Sequence, residues 1–147
     1  MLLNYEKCVK MSSELNKMSF DLVICDEGHR LKSQGNKCAK AIKSLSTPRR
    51  ILLTGTPIQN DLGEFFTMAD FVNPGLLNNY NSFKKNYELP IVKARQPGAG
   101  RKVVELGKGR GEALSTLTGM FVLRRTSEIL AIYLPLKRSP LNKVCVD

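Results

Sequence analysis

The stretch Phe20–Lys32, FDLVICDEGHRLK, carries the strongest structural signal in this chain. Its first six residues form a nearly continuous apolar run of strand length, which is typical of a β-strand in a sheet covered on both faces. The run ends abruptly in two adjacent carboxylates, Asp26 and Glu27, followed by a glycine and the only histidine of the sequence. The stretch therefore predicts a buried strand whose end carries chemistry.

A second apolar run, Arg50–Thr54 (RILLT), also has the length of a strand, and it leads directly into Gly55-Thr56-Pro57. Between the two runs, Gly35–Leu45 places apolar residues at helical spacing with lysines opposite. Strand, helix and strand in such a short span predict a βαβ unit with a right-handed crossover and parallel strands. Both strands then end at the same edge of the sheet, where open α/β folds bind their ligands.

The remainder of the sequence predicts mainly helices. Loose helical spacing is present in Leu2–Met18, where Ser12–Ser13 can cap a second short helix. From Pro90 to Gly111 the composition shifts to lysine, arginine, glycine and proline, which predicts a mobile basic loop at least in its first part. Further helices are predicted at Leu62–Val72, Ser82–Tyr87, Glu112–Arg124 and Thr126–Tyr133.

The composition indicates a polyanionic partner, and the amino terminus indicates an intracellular protein. The 147 residues carry a net charge of +10, and a field of that sign attracts nucleic acid. Surface lysines that merely keep the protein soluble are the alternative. No apolar run approaches the ~18 residues of a spanning helix, and the amino terminus lacks a signal sequence. The four cysteines form no C-x-x-C pair, so we expect reduced thiols rather than a zinc site or disulfides.

The two carboxylates at the strand end suit phosphoanhydride hydrolysis. Asp26 is placed to hold Mg²⁺ through its water shell, and Glu27 to orient and deprotonate an attacking water. We expect Gly28 to permit the turn that lets the two acids divide these tasks. His29 would lie beside the γ-phosphate and donate a hydrogen bond. The alternative is that the acids cap the next helix and His29 is a solvated loop residue.

A rigid polar turn follows the second strand, in the segment Leu53–Asn60 (LTGTPIQN). Its hydroxyl groups can hydrogen-bond the acids or the histidine at the neighbouring strand end and so register their movement. Taken alone, this segment is equally compatible with a strand-to-helix connection in which Thr56 or Asn60 is a cap.

Together, DEGH at 26–29 and LLTGTPIQN at 52–60 resemble motifs II and III of the superfamily-two helicase-like ATPases, specifically the Swi/Snf-type DNA translocases. The resemblance covers nearly the whole chain. It departs from the family where Asn4 replaces the serine of a S-Y-E segment and where Ser33 follows Lys32. Further similar segments are Tyr5-Glu6, Phe65-Phe66, Asp70-Phe71, Asn73-Pro74-Gly75 and, for the recombination branch, YELPIVKAR at 87–95 and FVLRRTSEILAIYLPLK at 121–137.

The resemblance implies an α/β fold: a partial RecA-like, P-loop NTPase-type parallel sheet with helices, followed by a mainly helical protrusion. It implies ATP and Mg²⁺ as cofactors, with Asp26 as the cofactor- and metal-binding acid and Glu27 as the catalytic base. His29, Thr54, Gly55 and Thr56 would couple the nucleotide to movement. The implied partners are double-stranded DNA, a RecA-like strand-exchange protein and chromatin, in the nucleus, during homologous recombination and DNA repair.

The resemblance also implies that these residues are one part of a larger enzyme. We expect residues 1–61 to be the later half of lobe one, residues 62–137 the protrusion and residues 138–147 a tail. No G-x-x-x-x-G-K-[ST] pattern is present, although backbone N–H groups and a lysine are needed to cradle phosphates. A second lobe with its arginine finger is missing as well. We therefore expect the chain alone to be inactive as an ATPase.

Basic residues between positions 93 and 110 give a second candidate site. Lys93, Arg95, Arg101 and Lys102 are candidates for non-specific contacts with DNA phosphates, which salt would weaken; a solvated loop is the alternative. Two other functions stay open at this point. One is a non-enzymatic module that binds DNA or a recombination partner, and the other is a Mg²⁺-dependent hydrolase that uses Asp26 and Glu27 without nucleotide.

Overall fold

Two parallel strands form a sheet in the part of the chain that the structure describes. The computed structural model describes residues 1–32, 35–55 and 61–125. Strand β1 (Val23–Cys25) pairs with β2 (Arg50–Leu52), and Ile24 lies opposite Ile51. The predicted parallel α/β arrangement is confirmed. Only three residues of each apolar run pair with the other strand, so both strands are shorter than the runs that predicted them.

Helices account for most of the remaining described residues. A 3-10 helix, Gly28–Leu31, follows β1, and a π-helical turn, Lys84–Glu88, connects two helices later in the chain. The predicted helix at Thr126–Tyr133 lies outside the described residues. The α-helices are α1 (Tyr5–Lys10), α2 (Ser12–Leu15), α3 (Lys37–Lys43), α4 (Leu62–Val72), α5 (Tyr80–Phe83), α6 (Leu89–Ala94) and α7 (Arg101–Gly119).

Asparagine and aspartate side chains begin four of these helices. Each accepts a backbone N–H of the first turn, which is how such residues stabilise a helix start. These caps are Asn4 on α1, Asn36 on α3, Asp61 on α4 and Asn79 on α5. The predicted cap at Ser12–Ser13 is wrong, because Met11 occupies the capping position of α2 and no side chain bonds there.

The core lies between the helices and one face of the sheet. Phe71 of α4 is almost fully buried, and it packs in one cluster with Leu31 and Cys25. On the opposite face, Ile24 is 59% exposed and Ile51 43% exposed. The prediction of a sheet covered on both faces is therefore wrong for the described part of the chain, because its core cluster contacts only the face of Val23, Cys25 and Leu52.

The predicted basic loop near residues 90–111 is largely helical. Helix α6 includes Pro90 in its first turn, directly after the π-helical turn Lys84–Glu88. Helix α7 begins at Arg101 and continues through three glycines. Only the connection of residues 95–100 is non-helical. Gly98 and Gly100 lie in this connection, whereas Gly107, Gly109 and Gly111 are in helical backbone.

Gly107 is the point of closest approach between α6 and α7. A Cβ added there would lie 2.2 Å from the Cβ of Ala94 and 2.8 Å from the carbonyl oxygen of Pro90. A backbone atom cannot move away as the end of a flexible side chain can. Nothing lies within 4 Å of the corresponding positions at Gly109 and Gly111. Gly107 is therefore required for packing, whereas the other two glycines only weaken the helix.

We expect Gly107→Ala to lower the stability of the chain and Gly109→Ala to raise it. In open helical surroundings, alanine is more stable than glycine by roughly 0.5–1 kcal/mol, whereas forced contacts in a packed interface cost roughly 1–3 kcal/mol. The free energies of unfolding in urea measure both effects. Equal stabilisation by the two substitutions would contradict the close helix contact.

The chain divides into two compact units, Met1–Glu112 and Ala113–Asp147, and the first contains the sheet and both predicted motifs. The predicted boundaries at residues 61 and 137 stay predictions. Cys8, Cys25 and Cys38 are free thiols, as expected, and Cys145 lies outside the described residues. Among the described helices, none has both the length and the apolar character needed to cross a membrane.

Candidate functional site

The turn after β1 carries both candidate catalytic acids. The strand ends at Cys25, and the exposed side chain of Asp26 bends back so that its Oδ1 accepts the N–H of Glu27 at 2.8 Å. Glu27 has φ 50° and ψ 48°, in the left-handed region. Such a conformation costs a non-glycine residue about 1–2 kcal/mol, and strained residues of this kind cluster at functional sites. The predicted turn at the acids is confirmed, but the residue that makes it is Glu27.

Gly28 contributes its small size rather than an unusual backbone angle. Its φ is not positive, which corrects the expectation that it permits the turn. A Cβ at Gly28 would lie 2.1 Å from a methyl carbon of Leu52 on the neighbouring strand. The N–H of Gly28 donates to the carbonyl oxygen of Leu53 at 2.7 Å, and the N–H of Leu53 donates to that of Cys25 at 2.8 Å. The absence of a side chain lets the turn lie directly against β2.

These two backbone hydrogen bonds join the predicted motifs. Leu53 begins the polar segment LTGTPIQN, so the end of β2 is held to the acids through main-chain atoms. Thr54 and Gly55 follow at this edge of the sheet, whereas Thr56, Gln59 and Asn60 lie outside the described residues. The prediction that both strands end at one edge is confirmed. A coupling role for Thr54, Gly55 and Thr56 stays a prediction.

His29 lies in the 3-10 helix immediately after the acids. Its Nδ1 is 3.2 Å from Oε2 of Glu27, but it is not aligned for a hydrogen bond. The side chain of Glu27 is 61% exposed, so the carboxylate stays accessible to water. The histidine is therefore close enough to respond to the charge and position of the acid.

Helix α1 holds the turn from the other side. The hydroxyl of Tyr5 donates to the carbonyl oxygen of Asp26 at 2.6 Å. The guanidinium of Arg30 lies 4.9 Å from the centre of the Tyr5 ring and forms an ion pair with Glu6. Burial, with the nearby thiol of Cys25 as the next cause, raises the pKa of the Tyr5 hydroxyl far above its usual range. It therefore stays protonated and able to donate.

The four candidate DNA-binding residues lie at adjoining helix ends. Lys93 and Arg95 stand at the end of α6, and Arg101 and Lys102 at the start of α7; all four are exposed. The first turn of α7 contains no acid, so its positive dipole end adds to these charges. Arg101 is partly neutralised by Glu105, with 3.1 Å between Nε and Oε1.

The donor set of the turn fits a weakly held hard cation rather than a complete protein metal site. Asp26 offers an exposed carboxylate, and the described residues contain no group of three or more histidine, cysteine, aspartate or glutamate side chains that could hold a metal. Mg²⁺ commonly keeps several waters and takes one or two carboxylates together with substrate phosphates. The single acid at Asp26 is compatible with that mode of binding.

Comparison with known proteins assigns the chain to a family. The model of the SNF2-related domain matches residues 1–146. The chain belongs to the SNF2-related domain family. A solved SNF2-type structure, the "Sulfolobus solfataricus SWI2/SNF2 ATPase core in complex with dsDNA", superposes with a TM-score of 0.67 and 31% sequence identity, over 86% of this chain and 24% of that one. This likeness confirms the predicted fold class and the resemblance on which it rests.

Curated relatives of this SNF2-related domain are recombination proteins. "DNA repair and recombination protein RAD54B" of Homo sapiens is 50% identical over 137 residues, and "DNA repair and recombination protein RDH54" of Saccharomyces cerevisiae (strain ATCC 204508 / S288c) is 46% identical over 141. Each match covers 93% of this chain and 15% of the relative. The chain thus spans about one seventh of the length of these relatives.

Tyr5 is a residue of the candidate site to which the sequence pattern alone assigns no role. The resemblance singled out Tyr5-Glu6 as a segment, but only the structure shows the hydroxyl on the Asp26 carbonyl. No local pattern predicts a contact between residues 21 positions apart. An apolar ring and a single hydroxyl at the start of a helix would otherwise be interpreted as ordinary core packing.

Proposed function

We propose that this chain supplies the hydrolytic and coupling segment of lobe one in an ATP-dependent translocase on double-stranded DNA. The observation that carries the proposal is the turn in which Asp26 and Glu27 lie at the carboxyl edge of the parallel strands, bonded through Gly28 to Leu53. In open α/β folds this edge is where ligands bind. Two acids that differ in backbone geometry suit two different tasks.

In the proposed mechanism Asp26 and Glu27 have separate roles. Bound ATP with Mg²⁺ would supply the phosphoanhydride and the charge that stabilises its cleavage. Asp26 presents its outer oxygen as the hard ligand, while its Oδ1 stays on the backbone N–H of Glu27. Glu27 accepts the proton of the attacking water as general base. With the backbone of Glu27 in the left-handed region, its carboxylate lies beside His29, with 3.2 Å between Oε2 and Nδ1.

Coupling of the nucleotide to movement follows from the backbone bonds between the two strand ends. A shift of the turn on hydrolysis would pass through Gly28 to Leu53 and on to Thr54, Gly55 and Thr56. His29 beside Glu27 is the side chain placed to sense the change in charge. We propose His29, Thr54, Gly55 and Thr56 as the residues that couple the nucleotide to movement.

The biological setting is proposed from the relatives. The printed names of the human and yeast relatives describe DNA repair and recombination, and the archaeal structure contains double-stranded DNA. We propose that the parent protein remodels nucleoprotein during homologous recombination in the nucleus. Its partners would be duplex DNA, a RecA-like strand-exchange protein and chromatin.

A chimera tests the proposed enzymatic role. Human RAD54B is produced with its matching segment replaced by this chain, and ATP hydrolysis is measured with and without duplex DNA. We expect hydrolysis that duplex DNA stimulates, because the chain would restore the acids and the coupling segment. A folded, nucleotide-binding chimera without hydrolysis would contradict the proposal.

A second candidate function, a DNA-binding module without catalysis, is favoured by the exposed basic residues at the α6 and α7 ends. The two functions are separable because binding needs no acid at position 27. If the chain binds duplex DNA while the chimera fails to hydrolyse ATP, the binding module becomes the better account.

We expect the double variant Arg101→Gln/Lys102→Gln to bind duplex DNA more weakly than the unsubstituted chain at low salt. The logarithm of the binding constant should also fall less steeply with the logarithm of salt concentration, by roughly 0.9 for each lost phosphate contact. Fluorescence anisotropy of labelled DNA measures both quantities. The matched control is Lys10→Gln/Lys17→Gln, which removes the same charge from exposed positions outside this basic cluster. If the salt dependence of binding has the same slope for both double variants, Arg101 and Lys102 do not contact DNA phosphates.

A further inference from the structure

The peptide bond between Asp26 and Glu27 is hydrogen-bonded at both ends. Its carbonyl oxygen accepts the Tyr5 hydroxyl at 2.6 Å, and its N–H donates to the Asp26 carboxylate at 2.8 Å. With both ends held, this peptide plane has little freedom to rotate. The plane sets ψ of Asp26 and φ of Glu27, and therefore the directions in which the two candidate catalytic side chains leave the backbone.

Tyr5 is itself held in place by the capped helix α1 and by Arg30. Asn4 caps α1 through the N–H of Lys7, which fixes the start of the helix on which Tyr5 lies. The Arg30 guanidinium covers the Tyr5 ring and pairs with Glu6. The far side of the 3-10 helix is bonded as well, because the side-chain amide of Asn36 donates to the carbonyl oxygen of Arg30 at 2.6 Å.

The arrangement has a chemical reason to require tyrosine. A left-handed Glu27 is intrinsically unfavourable, so a flexible turn would return to ordinary backbone angles and turn the carboxylate away. Phenylalanine would fill the same space, but it would leave the Asp26 carbonyl without its donor. The hydroxyl is thus the atom group that opposes this relaxation.

We propose that Tyr5 is a positioning residue for the reaction: its hydroxyl fixes the Asp26–Glu27 peptide and so holds the two carboxylates in their working directions. This inference rests on the proposed ATPase function for its kinetic consequence. Its structural consequence, a turn that is rigid only when the hydroxyl is present, does not depend on any activity.

Tyr5→Phe tests the inference by two measurements. In the RAD54B chimera we expect kcat for DNA-stimulated ATP hydrolysis to fall about tenfold, the effect of one lost hydrogen bond to a backbone carbonyl that orients both acids, with KM for ATP changed less than twofold. In the 147-residue chain without nucleotide, we expect amide hydrogen exchange in the peptide covering residues 20–32 to become faster, with exchange in α4 unchanged. Tyr87→Phe deletes the same hydroxyl from a ring that packs on Phe83 and serves as the control.

The outcomes separate this inference from the proposed function. An inactive chimera together with faster exchange in Tyr5→Phe contradicts the ATPase but keeps Tyr5 as the residue that holds the turn. An active chimera whose kcat and local exchange are both unchanged by Tyr5→Phe overturns the inference alone. Faster exchange throughout the chain would assign Tyr5 to general stability and would also overturn it. A variant Arg30→Ala, which uncovers the ring, should give a weaker effect of the same kind.

Discussion

Replacing Glu27 with glutamine in the RAD54B chimera is expected to lower DNA-stimulated ATP hydrolysis by roughly 100-fold or more, while ATP still binds. Glutamine has nearly the shape of glutamate but cannot accept the proton of an attacking water, and general base catalysis contributes roughly 10²–10⁴-fold. The turn itself should persist, because its hydrogen bonds use the carbonyl oxygen of Asp26 and the N–H of Glu27 rather than the Glu27 side chain.

The control for this prediction is Glu14→Gln, which changes an exposed carboxylate in α2 in the same way. Steady-state hydrolysis and binding of a fluorescent ATP analogue are measured for both variants. Retention of more than about one tenth of the rate in Glu27→Gln would remove Glu27 from the role of general base, since the smallest typical contribution is already ~100-fold.

The second large effect is on folding: Phe71→Ala is expected to lower the free energy of unfolding by roughly 3–5 kcal/mol. Phe71 is 1% exposed, and it packs in the core cluster beneath the sheet. Its ring also lies 5.5 Å from the Arg50 guanidinium, which donates to the Phe71 carbonyl oxygen at 3.2 Å. The substitution therefore leaves a cavity where α4 meets β2.

Urea unfolding of the 147-residue chain, followed by circular dichroism, measures this effect. Leu76→Ala is the control, because Leu76 is 41% exposed and substitutions at such positions change stability by roughly 0.5 kcal/mol or less. A similar midpoint for Phe71→Ala and Leu76→Ala would mean that α4 does not pack on the sheet as described.

Local sequence signals were sufficient to predict the elements whose ends are marked by capping or helix-breaking residues. Helix α4 matches its predicted bounds, Leu62–Val72, because Asp61 caps its start and Asn73-Pro74-Gly75 ends it. The parallel strands were predictable from two apolar runs separated by a helix. The lengths of the strands were not predictable, because apolar character does not determine how many residues pair with the neighbouring strand.

The helical basic segment shows where local signals fail. Three glycines at positions 107, 109 and 111 indicate a loop, yet α7 passes through all of them. The reason is non-local: Gly107 lies against Pro90 and Ala94 of α6, a contact that composition does not reveal. Exposed lysines and arginines on this helix are accordingly more fixed in position than a mobile loop would make them.

The candidate site was predictable in its residues but not in its geometry. Asp26, Glu27 and the strand end could be found from the order of residue types along FDLVICDEGH. The left-handed Glu27, the close contact of Gly28 with Leu52 and the hydroxyl of Tyr5 depend on neighbours far away in sequence. These contacts determine the backbone geometry of the acids, so the structure adds the part of the site on which the proposed catalysis depends.

We propose that these residues hold the acids and the coupling segment of an SNF2-type ATPase but need a phosphate-binding loop and a second lobe to act. The most direct test is the rate of ATP hydrolysis by the chain alone and by the RAD54B chimera, each with Mg²⁺ and with or without duplex DNA. We predict DNA-stimulated hydrolysis by the chimera and none by the chain alone. Hydrolysis by the chain alone that Glu27→Gln abolishes would contradict this account, because the 147 residues would then contain a phosphate site of their own.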